Sequence, residues 1–140
     1  MNYLVDTNVI SELTKPSPNP AVVRWLADSD EDRVFLSVIS LAEIRRGIVL
    51  MNPGKRRDQL EAWFRIEVPQ RFEHRLIGID REIAERWGDL IAASRRRGIV
   101  LSAMDGFLAA TAQAHNLTLV TRNLRDFVSL DLVLLNPWSE

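Results

Sequence analysis

The sequence predicts an α/β fold with a mostly parallel central sheet of about five strands and helices on both faces. Three observations carry this. Short apolar runs rich in branched residues read as buried strands. The segments between them switch to a helical period. Acidic residues recur just after the runs, where helices would begin.

Taken in order, Tyr3-Leu4-Val5 is the first strand, ended by Asp6, and Thr7-Asn8 continue into a helix. Pro16 to Pro20 break that helix and start a second. Val34 to Ile39 is the second strand, followed by a helix with Leu41, Ile44, Ile48 and Met51 on one face. Residues 56 to 66, with Leu60, Trp63 and Phe64, form an amphipathic stretch between Pro53 and Pro69. Arg75 to Ile79 is the third strand. Ile83, Trp87, Leu90 and Ile91 mark a long helix that Gly98 ends after Arg95-Arg96-Arg97. The apolar run Ile99-Val100-Leu101 leads through Ser102 into a helix that is apolar on nearly every side. Leu117 to Val120 and Leu132 to Leu135 are the fourth and fifth strands. No linker and no internal repeat interrupts this order, so residues 1 to 140 are expected to form one domain.

The composition agrees. The chain has 140 residues, 46% hydrophobic and 26% charged, as one soluble domain has. A domain this long buries roughly 70% of its unfolded surface and needs no staples. The absence of cysteine excludes disulfides, thiolate zinc sites and cysteine nucleophiles. No apolar run approaches the ~18 residues that span a bilayer, and Asp6 falls where a signal peptide needs its apolar stretch. A cytoplasmic location is the expectation. The net charge of −1 argues against holding nucleic acid by bulk positive charge. That average conceals an asymmetry, because residues 45 to 97 hold 13 basic and 8 acidic groups while both ends are acidic. All but Lys15 and Lys55 of the 18 basic residues are arginine, the side chain whose planar fork suits phosphate.

The acids are the informative residues. Asp6 directly follows the first strand. Glu43 lies three residues after Ser40, Asp105 three after Ser102, and Asp126 three after Asn123. Each is expected in the first turn of a helix or at its cap. Helix capping explains any one of them, since Ser40-x-x-Glu43 and Ser102-x-x-Asp105 match the capping box and the helix dipole favours an acid there by about 0.3–1 kcal/mol. Capping does not explain their joint placement. In a parallel sheet the helix N-termini line the edge where such folds bind ligands. Asp105 is moreover the only charge between Arg97 and Arg122, and burying a lone carboxylate is costly unless a cation meets it. Carboxylates gathered there repel one another, and a divalent cation resolves the repulsion. Oxygen-only ligation selects Mg2+ or Mn2+ over zinc. Mg2+ keeps waters and takes one or two carboxylates plus substrate phosphate, so metal-assisted phosphodiester hydrolysis is the reaction class, with the arginine-rich middle expected to contact the backbone.

These residues carry a resemblance. Val5-Asp6-Thr7-Asn8, Ser37-x-x-Ser40-x-x-Glu43-Ile44, Met104-Asp105-Gly106-Phe107-Leu108-Ala109-Ala110-Thr111-Ala112, Thr121-Arg122-Asn123-x-x-Asp126-Phe127 and Asn136-Pro137-Trp138 stand in the order and spacing of the PIN-domain ribonucleases. The chain most resembles the VapC/FitB-like toxins of type II toxin–antitoxin pairs. The resemblance implies a three-layer α/β/α PIN-like fold, with Asp6, Glu43 and Asp105 as acidic site residues and Asp6 and Asp105 as the direct metal ligands. The fourth position departs from the pattern: many relatives carry aspartate where Asn123 stands, so either Asn123 or Asp126 fills it, and the metal count stays open. Thr7 and Thr111 carry hydroxyls within reach of the cluster, with Asn8 a weaker candidate, although Thr111 can equally bond back to its own helix. The resemblance further implies an RNA substrate cut by hydrolysis with Mg2+ or Mn2+, a homodimer, and a small VapB/FitA-like antitoxin that supplies operator-DNA binding. Trp63, Phe64, Leu41, Ile44 and Ile48 are candidates for dimer or antitoxin contact, with core packing the competing role. A catalytically degenerate PIN-like module that binds RNA or a partner is the alternative function.

Other signals point nowhere. His74 and His115 have no nucleophile pattern beside them, the six glycines form no phosphate loop, and the Asp28-to-Asp32 acids lack calcium-loop spacing. An aspartyl phosphatase would carry Asp-x-Asp after the first strand, and Asn8 stands there instead.

Overall fold

In the computed structural model, which describes residues 1–139, β1 (Tyr3–Val5), β2 (Val34–Ser37), β3 (Leu76–Ile77), β4 (Thr118–Val120) and β5 (Leu134–Leu135) form one sheet. All strand pairs are parallel and the order is β3-β2-β1-β4-β5. Alternation along the strands divides the core in two. Leu4 and Leu119 turn to one face, where they meet Leu108, Ala109, Ala112 and Phe127. Val5 and Val120 turn to the other, among Val9, Ile10, Val22, Leu26, Ile44 and Ile48. Both faces are therefore covered by helices, and the three-layer α/β/α architecture follows.

The helices are α1 (Thr7–Glu12), α2 (Pro20–Asp28), α3 (Val38–Leu50), α4 (Lys55–Ala62), α5 (Val68–Arg71), α6 (Arg81–Arg96), α7 (Ala103–Ala114) and α8 (Leu124–Phe127). Among the described residues no helix is long and apolar enough to cross a membrane. Pro20 opens α2 at the position where a missing N–H costs nothing. Gly98 ends α6 in the left-handed region, φ 73°, with its N–H donating to Arg95 O at 3.0 Å and the Ile99 N–H to Ser94 O at 2.8 Å. That is the Schellman arrangement, which glycine adopts without a Cβ clash.

Two expectations change. The second strand stops at Ser37, not Ile39, because the Ser37 hydroxyl accepts from the Ile39 N–H at 3.0 Å and starts α3. Branched Val38 and Ile39 look like strand, and a cap three residues earlier than expected overrides them. The helix over 56 to 66 does not end before Pro69: a five-residue π segment, Trp63–Glu67, joins α4 to α5, and Pro69 sits in the first turn of α5. The apolar run Ile99-Val100-Leu101 is not buried throughout, since Val100 is 98% exposed. It is the short link between α6 and α7, which pack directly on each other.

Of the candidate contact residues, Ile44 and Ile48 are core, while Leu41, Trp63 and Phe64 are half-buried against it. Leu41 and Phe64 also wall an apolar groove of about 420 Å3 with Val68, Pro69, Phe72 and Leu76.

The α6–α7 contact has a small residue at its centre. A Cβ on Gly106 would lie 2.9 Å from Trp87 Nε1 and 2.9 Å from Ile91 Cδ1. The Trp87 ring cannot easily yield, because it stacks on Phe107 with centroids 4.9 Å apart and donates Nε1–H to Ala103 O at 3.0 Å. Helix propensity favours Gly106→Ala by about 1 kcal/mol, whereas overpacking costs about 1–3 kcal/mol. The clash should win, and denaturant titration of Gly106→Ala is expected to show a net loss of stability of about 1 kcal/mol.

Candidate active site

The register between β1 and β4 builds the site. Val5 pairs with Val120, so the residues that follow, Asp6 and Thr121, lie side by side at the carboxyl edge of the sheet. The chain leaves β1 for β2 and β3 on one side, then returns for β4 and β5 on the other. The gap between β1 and β4 is thus the switch point where open α/β sheets bind ligands.

Asp6 is the N-cap of α1 and is only 6% exposed. Its Oδ1 accepts from the Thr7 N–H at 2.6 Å and its Oδ2 from the Thr121 hydroxyl at 2.8 Å, with Asn8 Nδ2 further out at 3.4 Å. Thr121 Oγ1 in turn accepts from the Asn123 N–H at 3.0 Å, so the hydroxyl both donates and accepts. Burial pushes the Asp6 carboxyl up to about 6. The bonds from Thr121 and Thr7 oppose that shift, and the charges of Glu43 and Asp105 add to it.

Glu43 is not in the first turn of its helix. Since α3 starts after Ser37, Ser40 lies inside the helix, fully buried with its hydroxyl unpartnered, and the Ser40-x-x-Glu43 capping box does not form. Glu43 is free of any capping duty and accepts instead from the Thr7 hydroxyl at 2.8 Å. Asp105 does sit at a cap, where its N–H donates to Ser102 Oγ at 3.2 Å. Burial raises its pKa, Ser102 lowers it, and the charges of Asp126 and Glu43 raise it further. It reaches the sheet edge from a helix–helix link and not from the end of a strand. The two residues open at the fourth position both lie there: exposed Asn123 and Asp126 wall one cavity, and the Asp126 charge acts on Asp105. Thr111 is outside the site, with its hydroxyl bonded to Phe107 O at 2.7 Å.

Thr121 did not figure among the expected site residues. The available signal was its position, directly after the fourth strand as Asp6 is after the first, but only the strand register makes the two neighbours.

Asp6, Glu43, Asp105 and Asp126 have no arginine, lysine or histidine within 4 Å among the described residues. Among the described residues no group of three or more Asp, Glu or His side chains stands close enough to hold a metal ion together. The donor set nevertheless fits a hard divalent cation: all oxygen and partly buried, with Asp6 and Asp105 raised in pKa first by burial and then by neighbouring carboxylate charge. Mg2+ takes one or two carboxylates and keeps water in its other positions, so a three-carboxylate cage is not required.

The basic middle of the chain is largely occupied elsewhere. Arg45 and Arg65 share Glu61, Arg71 meets Glu31, Arg81 meets Glu85 and Arg86 meets Glu82. Arg75 donates to the backbone carbonyls of Glu31, Val34 and Arg71. Arg45, Arg71 and Arg75 tie separate segments of the chain together, while Arg81 and Arg86 pair with glutamates of their own helix α6.

A PIN-domain model matches residues 3–131. The chain is 36% identical over 137 residues to toxin FitB of Neisseria gonorrhoeae, covering 98% of this chain and 99% of that one. It is 36% identical over 135 residues to VapC ribonuclease Y4jK of Sinorhizobium fredii, covering 96% of each. Its fold matches the structure of FitAB bound to an IR36 DNA fragment with a TM-score of 0.90 at 35% identity, over 97% of this chain and 95% of that one.

Because burial raises the folded pKa of Asp6 from the ordinary 3.8 to about 6, the stability this group contributes is complete below about pH 4 and lost as pH rises through 6. In chelator-treated protein at pH 7, Asp6→Asn is expected to increase unfolding stability by about 1–3 kcal/mol, with the gain vanishing near pH 4. Thr121→Val removes the hydroxyl that opposes the shift and should lower stability by about 1–3 kcal/mol. Denaturant midpoints measured from pH 4 to pH 7 check both.

Proposed function

The chain belongs to the PIN-domain family, and from that premise we propose that it is a metal-dependent endoribonuclease, the toxin of a toxin–antitoxin pair. The observation that carries the reading is the set of uncompensated carboxylates around Asp6 at the sheet's switch point. Relatives that span nearly the whole chain are named a toxin and a VapC ribonuclease. The complex of similar fold is bound to DNA, which fits an antitoxin partner that carries operator binding. An RNA substrate makes the cytoplasm the place of action, and two copies facing one groove would form the homodimer.

Asp6 and Asp105 would hold Mg2+ or Mn2+, with Glu43 beside them. Such a cation supplies a counter-charge to the phosphodiester and makes water at the site more acidic. The chain's own groups prepare that place. Thr121 and the Thr7 N–H fix both oxygens of Asp6, and Thr7 also holds one oxygen of Glu43, leaving the second open. Ser102 and the Trp87–Phe107 stack set the first turn of α7 and so the height of Asp105. Burial of Asp6 keeps bulk water from screening these charges.

Purified protein freed of its antitoxin should cleave RNA when Mg2+ or Mn2+ is added. Asp6→Asn and Asp105→Asn should each lower the rate at least a hundredfold; full activity in either variant would sink the mechanism, and wild type that binds RNA without cutting it would fit the binding-module alternative. Because a cation must displace the proton on Asp6, Mg2+ affinity measured by calorimetry should fall up to about tenfold per pH unit below pH 6 and level off above it.

A further inference from the structure

Beside the acids lies a cavity of about 400 Å3 walled by Arg122, Asn123, Leu124, Arg125, Asp126 and Asn136. Hydrogen bonds tie it to the acid site. Asn8 reaches Asp6 Oδ2 through Nδ2 at 3.4 Å, and its Oδ1 accepts from the Arg122 N–H at 3.5 Å. Both arginines are exposed, and among the described residues neither has a carboxylate within 4 Å. Glu12 feels the Arg122 charge, but its oxygens are already taken by Lys15 Nζ at 2.9 Å and the Asn19 N–H at 2.8 Å. Arg122 is nonetheless held. Its guanidinium lies 5.4 Å from the centroid of the Trp138 ring. Trp138 packs against the core and is braced by its N–H donating to Asn136 Oδ1 at 2.9 Å.

Arg45, Arg65, Arg71, Arg75, Arg81 and Arg86 of the basic middle are tied to glutamates and carbonyls, whereas Arg122 and Arg125 line the cavity beside the acids with no carboxylate in reach among the described residues. An acid cluster repels a polyanion, so a strand approaching it needs local positive charge. A guanidinium stacked on an indole gives up less side-chain freedom when it grips a phosphate. We propose that Arg122, braced on Trp138 and joined by Arg125, is a phosphate clamp that seats the RNA strand beside the acid site by a phosphate flanking the one that is cut. The clamp rests on the ribonuclease reading above. Asp126 lies on the same wall and its charge acts on Asp105, so the wall offers an approaching strand two guanidinium groups against one carboxylate.

The test is binding of a fluorescent single-stranded RNA to chelator-treated, antitoxin-free protein, followed by anisotropy over a series of salt concentrations. Arg122→Ala should weaken binding about tenfold near 0.1 M salt and lower the slope of log affinity against log salt by about 0.7, one phosphate on a single strand. Arg122→Lys, which keeps the charge without the planar fork, should weaken binding about threefold. Arg81→Ala, at a 92% exposed side chain on α6, should change nothing. If wild type binds RNA and Arg122→Ala matches Arg81→Ala in affinity and slope, the clamp is overturned and the ribonuclease reading stands. If wild type binds no RNA, the clamp falls, and the ribonuclease reading is decided separately by cleavage with Mg2+ or Mn2+. Thermal melts verify that Arg122→Ala is folded; should it not fold, unchanged binding by Arg122→Lys overturns the clamp.

Discussion

The structure is organised around a carboxylate buried against its own preference. Asp6 is almost out of water, and the energetic cost shows in a carboxyl pKa pushed up to about 6. Two donors, the first amide of α1 and the Thr121 hydroxyl, reduce that cost without cancelling it. Both come from the sheet's geometry, since one is the helix that must follow β1 and the other stands at the end of the strand paired with it. Any shift of the β1–β4 register by one residue would replace Thr121 with the backbone of Val120 or Arg122 and leave Asp6 one partner short.

The other site groups are held from this point outward. Thr7, next along α1, holds Glu43 of α3, and Asn8 links Asp6 to the segment after β4. Asp105 arrives by a separate route. The α6–α7 pair places it, and that pair closes only because Gly106 leaves room for the Trp87 indole. The acid site is therefore the meeting of a sheet edge and a helix hairpin, two units with different packing requirements.

Charge is divided by function as well as by sequence. Arginines on the helices between β2 and β4 bridge to glutamates in exposed pairs, each of about 0–1 kcal/mol at most. Arg122 and Arg125 have no such pairs among the described residues and line the cavity beside the acids. A chain of net charge −1 can handle phosphate in this way, because the field that matters is set over a few ångströms and not by the total.

Much of this was legible in the residues alone. Short apolar runs and helical periods marked every strand and long helix, because a strand buried on both faces is apolar throughout and a helix buried on one face repeats every 3.6 residues. The acids stood out because a lone charge in an apolar helix is costly without a reason. What the sequence could not contain was contact at long range. Two local signals were also ambiguous: Ser40-x-x-Glu43 looked like a cap, and branched Val38 and Ile39 looked like strand. An earlier cap at Ser37 decided both. Thr121 became part of the site only because parallel pairing sets it beside Asp6, 115 residues away in the chain. Local chemistry chooses elements, and the pairing of elements chooses which side chains share a site.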